Sequence, residues 1–243
     1  MTISNDDDLT RLKDIGGIVA RVLVALGRAL EPGLTTRELD ALGRQLLGAE
    51  GARPAPELAY GFPGATCISV NEEVAHGVPG DRIIAAGDLV NIDVSAEKDG
   101  VFADTGASFA VPPVPERVEA LCRDGRRALW AGLRAVRAGS RLNEIGRRVH
   151  QFARQNGYTL VRNLASHGVG NALHEEPGQI PTWFERDDRR VMHDGLVFTI
   201  EPFLSTGAEW VDLAADGWTL LAPPGVLTVQ YEHTVVATKR GPL

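Results

Sequence analysis

An internal repeat is the feature of this sequence that most constrains its fold. Three residues recur 106 positions further on: Gly33, Glu38 and Gly51 match Gly139, Glu144 and Gly157. The segments GDLVNIDV (87–94) and GLVFTIEP (195–202) superpose with an offset of 108 positions. Two nearly equal offsets predict a chain that arose by duplication of about half its length. Chance is the alternative, because glycine and glutamate are common residues.

Hydrophobic periodicity divides the chain in the same way. Apolar residues at three- and four-residue steps predict four helices. The first spans 9–30 and the second ends at residue 51, while the third spans 117–136 and the fourth ends at residue 157. Clusters of proline and glycine at 53–63, 112–115 and 223–225 predict loops. We therefore expect one α/β domain over residues 1–243, with related halves spanning roughly 9–111 and 116–238.

The charge balance and the cysteines restrict the class of protein. With 32 acidic and 25 basic residues the net charge is −7, which argues against direct nucleic-acid binding. The two cysteines, Cys67 and Cys122, are too far apart for a CxxC motif and indicate a reducing compartment. No signal peptide is visible at residues 1–9, and arginines interrupt the most apolar stretch, 15–30. We expect a cytoplasmic protein without a membrane span.

The segment LVNIDVSAEKDGVFADTGASFAV predicts a β-hairpin around an Asp99–Gly100 turn. In the register that this turn sets, Asp93 lies opposite Gly106 and Asp104 lies opposite Ser95. The two aspartates then share one face of the hairpin as diagonal neighbours. Two carboxylates this close repel each other unless a cation or a shared proton lies between them. A solvated hairpin face is the alternative.

Two further acids occur where charge is unexpected. Glu201 ends the apolar run Leu196 to Ile200, and Glu232 lies within the β-branched run LTVQYEHTVVAT. Buried carboxylates without partners are costly, so metal binding is a natural explanation. Histidines that could join them are His76, His167 and His174, which lie in glycine-rich segments; ordinary loop or core histidines are the alternative. His150, His193 and His233 are expected to be structural.

The charge of the four acids predicts the number of ions. Asp93, Asp104, Glu201 and Glu232 carry a charge of −4, which two divalent ions would cancel. Carboxylates with a neutral imidazole suit Mn, Fe, Co or Zn. Two such ions would make a water between them nucleophilic at neutral pH. Because no nucleophile elbow, dinucleotide fingerprint, Walker A loop or HExxH motif is present, hydrolysis at a two-metal site is the chemistry that remains.

The motifs NIDVSAEKDGVFADTG, SHGVGNALHEEP, FTIEP and QYEHT, in this order and at these separations, resemble the type I methionine aminopeptidases of bacteria. The resemblance runs through nearly the whole chain. It implies the pita-bread fold, in which two α/β halves related by a pseudo-twofold axis surround a central antiparallel sheet. It also implies removal of methionine from the N-termini of nascent proteins and short peptides, with transient ribosome contact and a monomeric state as further expectations.

The resemblance implies a metal role for five residues of this sequence. Asp93 would chelate one ion, while Asp104 and Glu232 would bridge both. His167 and Glu201 would complete the coordination of the second ion. A hydroxide held between the ions would attack the carbonyl of the first peptide bond.

Two histidines would act on the substrate without binding metal. By the same resemblance, His174 would hydrogen-bond the scissile carbonyl and stabilise its tetrahedral intermediate. His76 would contact the substrate near the residue that follows methionine. Glu201 would carry a proton, and the free amine of the substrate would be anchored at a metal.

This sequence departs from the family around the pocket for the first side chain. Pro56 and Ala59 stand where the family has a cysteine and a tyrosine, and Phe62 and Leu173 replace further aromatic residues, while Trp218 is kept. The pocket should stay apolar with a different shape. Selectivity for another first residue and proline-related specificity are therefore alternatives. A non-catalytic peptide-binding module is a further alternative, since proteins of this fold can lose their metal ligands, although all five ligand positions are occupied by competent residues here.

Overall fold

The computed structural model describes residues 1–243. Its helices are α1 (Asp6–Ala29), α2 (Thr36–Ala49), α3 (Ala55–Tyr60), α4 (Glu116–Leu133) and α5 (Asn143–Gln155). The strands of the first half are β1 (Arg53–Pro54), β2 (Cys67–Val70), β3 (Glu73–Ala75), β4 (Leu89–Lys98) and β5 (Val101–Ala110). The strands of the second half are β6 (Thr159–Leu160), β7 (Ser166–Gly168), β8 (Glu175–Ile180), β9 (Val197–Ile200), β10 (Phe203–Ser205), β11 (Asp212–Leu213), β12 (Leu220–Leu221), β13 (Thr228–Gln230), β14 (His233–Thr238) and β15 (Gly241–Pro242).

Two antiparallel sheets form the centre of the molecule. In the first sheet, β4 pairs with β5 on one side and with β1 and β2 on the other. The second sheet has the strand order β15, β14, β9, β7, β8. A bridge between Ala107 and Tyr231 joins the hairpin to the second half. At this junction, polar side chains of β5 lie next to polar side chains of the second half.

The β4–β5 hairpin has the register that the sequence predicted. Lys98 pairs with Val101, Asp93 with Gly106 and Asp104 with Ser95. Asp99 and Gly100 both have positive φ, at 52° and 79°, as a two-residue turn of this kind requires. The prediction for the hairpin is therefore confirmed.

Two details of the predicted elements are wrong. The segment 53–63, predicted as a loop, contains β1 and the six-residue helix α3. Pro56 in its first turn suits a helix start, and Gly61 ends the helix in the left-handed conformation with φ 68°. The run LTVQYEHTVVAT is two strands, because β13 pairs with β10 whereas β14 pairs with β9. Glu232 lies in the break between them.

Each half packs its helices onto its own strands around a buried apolar cluster of 23 residues. The first cluster joins α1 and α2 to the hairpin, and the second joins α4 and α5 to β9 and β14. Val197 and Val236 of the second half belong to the first cluster, while Leu89 of the first half belongs to the second. Each core thus includes residues of the other half, which supports the proposal of one domain.

Matched backbone hydrogen bonds support the proposed duplication. The N–H of Gly33 donates to the carbonyl of Ile84, and the N–H of Gly139 donates to the carbonyl of Met192, both at 2.8 Å. The two glycines have φ values of 99° and 91°. The partners are offset by 106 and 108 positions, as in the sequence repeat.

Two predictions from the sequence concern the compartment, one from the cysteines and one from the lack of a membrane span. Cys67 and Cys122 are buried and free, with no disulfide between them. None of the helices is both long and apolar enough to serve as a membrane span.

Candidate metal centre

The first half supplies two carboxylates from its hairpin. Asp93 and Asp104 lie on the paired strands β4 and β5. Each pairs with the residue that the sequence predicted, Asp93 with Gly106 and Asp104 with Ser95. The Asp104 side chain is buried, whereas Asp93 is half-buried and lines a cavity. A freely solvated hairpin face is therefore excluded for Asp104.

The second half brings Glu232 against this hairpin. The N–H of Glu232 donates to the carbonyl of Gly106 at 2.9 Å, and the Thr105 hydroxyl donates to the carbonyl of Glu232 at 2.8 Å. Thr234 accepts a hydrogen bond from the N–H of Asp104 and donates to its carbonyl. These bonds hold the carboxylates of the two halves side by side.

His167 completes a group that could hold a metal ion. Ligand atoms of Asp104, His167 and Glu232 all lie within 4.8 Å of one another. The His167 Nε2 atom lies 3.4 Å from Oε1 of Glu201 and 3.9 Å from Oδ2 of Asp104. Asp93 joins the group through Gln230, whose amide contacts both Asp93 and Glu232. The structure thus brings together all five residues for which the resemblance implied a metal role.

The chemistry of this group fits a divalent cation. Oδ1 of Asp104 and Oε1 of Glu232 are buried and have no hydrogen-bond partner. Burial, together with the neighbouring carboxylates, raises the pKa of Asp104 and of Glu232 well above its ordinary value. Burial likewise raises the pKa of Glu201 to about 8. Buried acids that repel one another are stabilised when a cation lies between them, so the side chains present fit a metal.

The imidazole of His167 is prepared for the same role. Burial lowers the pKa of His167 to about 3, so the ring is neutral at physiological pH. Its Nδ1 lies 3.0 Å from the carbonyl of Gly168, to which it can donate its proton. The Nε2 lone pair then faces the carboxylates. Histidine ligands of metals commonly have this arrangement.

Three hydrogen-bonding residues around the ligands were missed from the sequence. The Thr199 hydroxyl donates to Oε1 of Glu201 at 2.7 Å and accepts from the N–H of His167 at 3.0 Å. Ser166 accepts from the N–H of Glu201, and Gln230 bridges two carboxylates. For Gln230 a signal existed, because it shares a strand face with Glu232 in the pattern of the sequence.

A cavity opens onto the carboxylates and contains the predicted substrate residues. Its lining includes the five residues predicted from the sequence: His76, His174, Phe62, Leu173 and Trp218. Phe62 and Trp218 pack edge to face, with ring centroids 5.3 Å apart. The His174 ring lies with its centroid 3.8 Å from that of His167. The predicted substrate residues therefore share one cavity with the candidate ligands.

The rest of the pocket differs in part from the expectation. Pro56 lines the cavity, but Ala59 is exposed and does not. Tyr60, which the sequence analysis did not single out, lines it instead, together with Cys67. The Tyr60 hydroxyl lies 2.6 Å from Nδ1 of His174. The resemblance implied that an aromatic residue is lost at Ala59. The pocket nevertheless contains an aromatic side chain, one position further along the chain.

Two matched halves enclose a buried group of carboxylates and one imidazole that fits a metal ion. Such a site is typical of the class of metal-dependent hydrolases. Residues 10–239 match the model of the metallopeptidase family M24, and the chain belongs to this family. It is 46% identical over 244 residues to methionine aminopeptidase 2 of Bacillus subtilis (strain 168), covering 100% of this chain and 98% of that protein. It is 44% identical over 247 residues to a methionine aminopeptidase of Staphylococcus epidermidis (strain ATCC 12228 / FDA PCI 1200), covering 100% and 97%.

Solved structures agree in fold. A crystal structure of methionine aminopeptidase from Rickettsia prowazekii matches with a TM-score of 0.95 and 32% identity, covering 100% of this chain and 98% of that chain. A prolidase from Pyrococcus furiosus matches with a TM-score of 0.80 and 24% identity over 100% of this chain and 64% of that chain, which shows the shared fold alone. The fold is the pita-bread fold of this family, as the resemblance implied.

Proposed function

We propose that this protein is a methionine aminopeptidase, which hydrolyses the first peptide bond of proteins and peptides that begin with methionine. The observation that carries the proposal is the pair of buried, unpartnered carboxylate oxygens of Asp104 and Glu232 beside the neutral His167. Asp104 and His167 line a partly apolar cavity. Full-length similarity to methionine aminopeptidases of two bacteria supports the same reaction.

The proposed centre holds two divalent ions of the Co, Mn, Fe or Zn class. Asp93, Asp104, His167, Glu201 and Glu232 would be the ligands. When bound, such ions lower the pKa of water to near neutrality and polarise a carbonyl oxygen. The charge of the four carboxylates supports two ions, since a single divalent ion would leave a net −2 in a buried place.

The other groups of the cavity bind the substrate and move its protons. His174 would donate a hydrogen bond to the oxygen of the scissile carbonyl and stabilise the charge that develops there. Glu201, which lines the same cavity, would take up a proton and pass it to the leaving amine.

The apolar part of the cavity would receive the methionine side chain. Phe62, Leu173 and Trp218 form that part, and Phe62 and Leu173 are themselves buried. A flexible thioether adapts to such an irregular, partly aromatic lining. His76 lies on the same cavity, where it would contact the residue after methionine.

The biological substrates would be the N-termini of nascent polypeptides in the cytoplasm. A monomer in transient contact with the ribosome would suit that role. The similarity to relatives that process methionine supports the substrate class.

A peptide panel tests the proposal. The metal-loaded protein is incubated with Met-Ala-Ser and with peptides changed at the first or second position, including Leu-Ala-Ser, Met-Pro-Ser and Ala-Pro-Ser, and release of the first residue is measured. We expect release of methionine from Met-Ala-Ser, and its loss together with metal retention in Asp104→Ala. Preference for Leu-first or proline-second peptides would point to the alternative specificities. Peptide binding without any cleavage would contradict an enzyme, as would full activity of Asp104→Ala.

A further inference from the structure

His174 has one hydrogen-bond partner for its ring in the protein. The hydroxyl oxygen of Tyr60 lies 2.6 Å from Nδ1, and no other protein group hydrogen-bonds this imidazole. The two rings are tilted by 58° with centroids 5.5 Å apart, so the contact is made through the hydroxyl and not through stacking. The Nε2 atom is left without a protein partner.

The proton on this imidazole decides what His174 can do. A carbonyl oxygen can only accept hydrogen bonds, so His174 must present an N–H to a scissile carbonyl. A neutral imidazole carries a single N–H, and the hydrogen bond at one ring nitrogen selects the form of the other. With Nδ1 facing Tyr60, the nitrogen available to a substrate is Nε2.

We propose that Tyr60 is a positioning residue, whose hydroxyl donates to Nδ1 of His174 and so keeps the ring proton on Nε2 for the substrate carbonyl. The inference rests on the proposed function, because it assigns the N–H of Nε2 to the carbonyl of the first peptide bond. Tyr60 would act through His174 and would not touch the reacting atoms.

The structure fixes the Tyr60 hydroxyl although 51% of this residue is exposed. Tyr60 is the last residue of α3, and the left-handed Gly61 turns the chain directly into the buried Phe62. At the other side of the helix, the Glu57 carboxylate pairs with the Arg44 guanidinium of α2, with Nη1 at 2.7 Å from Oε2. The short helix is therefore tied to α2 through its first turn and is followed directly by a buried residue, and its last side chain lies beside His174.

Nitrogen NMR of the protein labelled with ¹⁵N-histidine tests the contact without metal or turnover. The His174 signals are assigned by their disappearance in His174→Ala. In the wild-type protein we expect the neutral form with protonated Nε2 and unprotonated Nδ1. In Tyr60→Phe we expect a mixture of the two neutral forms. A wild-type ring protonated on Nδ1, or an unchanged ring in Tyr60→Phe, would overturn the proposal.

Kinetics then separate positioning from a structural role. With Met-Ala-Ser we expect Tyr60→Phe to lower kcat by about tenfold, with little change of KM. This loss is smaller than the roughly 10²–10⁴-fold that a positioned proton donor itself supplies, because Tyr60 acts only through His174. Tyr158→Phe is the matched control, because it removes a tyrosine hydroxyl that donates to Asp124, and neither residue lines the cavity; it should keep the wild-type kcat. In a His174→Ala background, Tyr60→Phe should have no further effect. An equal loss in that background would overturn action through His174.

The two proposals fail in different ways. If the wild-type protein released no methionine, the proposed function would be contradicted, whereas the nitrogen spectra would still decide whether Tyr60 sets the protonated nitrogen of His174. If methionine were released and Tyr60→Phe matched the wild type in both spectra and kcat, only the role of Tyr60 would be overturned.

Discussion

The two halves of the molecule share a backbone arrangement but carry their polar site residues on different elements. In each half the second helix enters through matched hydrogen bonds, from the N–H of Thr36 to the carbonyl of Arg82 and from the N–H of Leu142 to the carbonyl of Arg190. The first half carries its carboxylates on one hairpin of two ten-residue strands. The second half distributes an imidazole and two carboxylates over short strands and the residues beside them.

This difference indicates how a scaffold of two matched halves can form a single site. The long hairpin fixes two aspartates in a regular register. The second half instead positions its proposed ligands by hydrogen bonds to side chains, among them Thr199 and Ser166. Gln230 connects the two sets by contacting Asp93 and Glu232. The following predictions test how equally the halves contribute, from the largest expected effect to the smallest.

Matched ligands of the two halves should be equally indispensable. Asp93 and Glu201 occupy corresponding positions in the repeat, offset by 108. Because the amides of Asp93→Asn and Glu201→Gln keep the size but lose the charge, each should lower kcat for Met-Ala-Ser by about 10³-fold and reduce the metal retained per chain. Turnover assays and elemental analysis measure both. Wild-type rates in either variant would contradict a site shared by the halves.

Matched core residues should contribute equally to stability. Leu39 on α2 and Ile145 on α5 are offset by 106, and both are fully buried. Leu39→Ala and Ile145→Ala should each lower the free energy of unfolding by about 2–5 kcal/mol, through lost burial and the cavity left behind. Urea unfolding followed by fluorescence and circular dichroism should give one common transition. Two separate transitions, each shifted by one variant only, would show that the halves are independent domains.

The amide of Gln230 should matter for both sets of ligands. Gln230→Met keeps the length of the side chain but removes the hydrogen bonds to Asp93 and Glu232, so metal affinity should fall about 10- to 100-fold. Metal titration measures the affinity. The exposed Gln151 of α5, whose side chain makes no hydrogen bond, provides the control variant Gln151→Met. Equal affinities in the two variants would contradict a bridging role for Gln230.

The smallest difference concerns how the second helix of each half begins. Thr35 and Glu38 form a capping box at α2, whereas α5 has no side-chain cap and Arg141 occupies the position that matches Thr35. Thr35→Ala should lower the free energy of unfolding by about 1 kcal/mol. Arg141→Ala should change it by less than about 0.5 kcal/mol. Thermal unfolding that shifted equally in both variants would show that the cap contributes nothing.

Local patterns made part of this structure predictable. The Asp99–Gly100 turn fixed the hairpin register, since two residues with positive φ select one pairing of the flanking strands. Helical periodicity located four of the five helices. Helix α3 was missed because six residues are too few to show a period, and the two strands around Glu232 were joined because their β-branched pattern does not reveal a change of partner strand.

The site was predictable in its residues but not in its arrangement. The sequence motifs pointed to Asp93, Asp104, His167, Glu201 and Glu232, and the structure places them together. Their distances depend on bonds between the halves, such as that from the N–H of Glu232 to the carbonyl of Gly106, which span more than a hundred residues. Tyr60 gave no signal, because nothing local indicates that its hydroxyl meets His174.

The central claim is that ligands from both halves form one centre for two metal ions. Native mass spectrometry of the wild-type chain, stripped of metal and titrated with Mn²⁺ or Co²⁺, tests this claim most directly, with Asp104→Asn as the comparison. We predict two ions per wild-type chain and a loss of both in the variant, because Asp104 would bridge them. A wild-type chain that retained no ion, or a variant that bound as many ions as the wild type, would contradict the account.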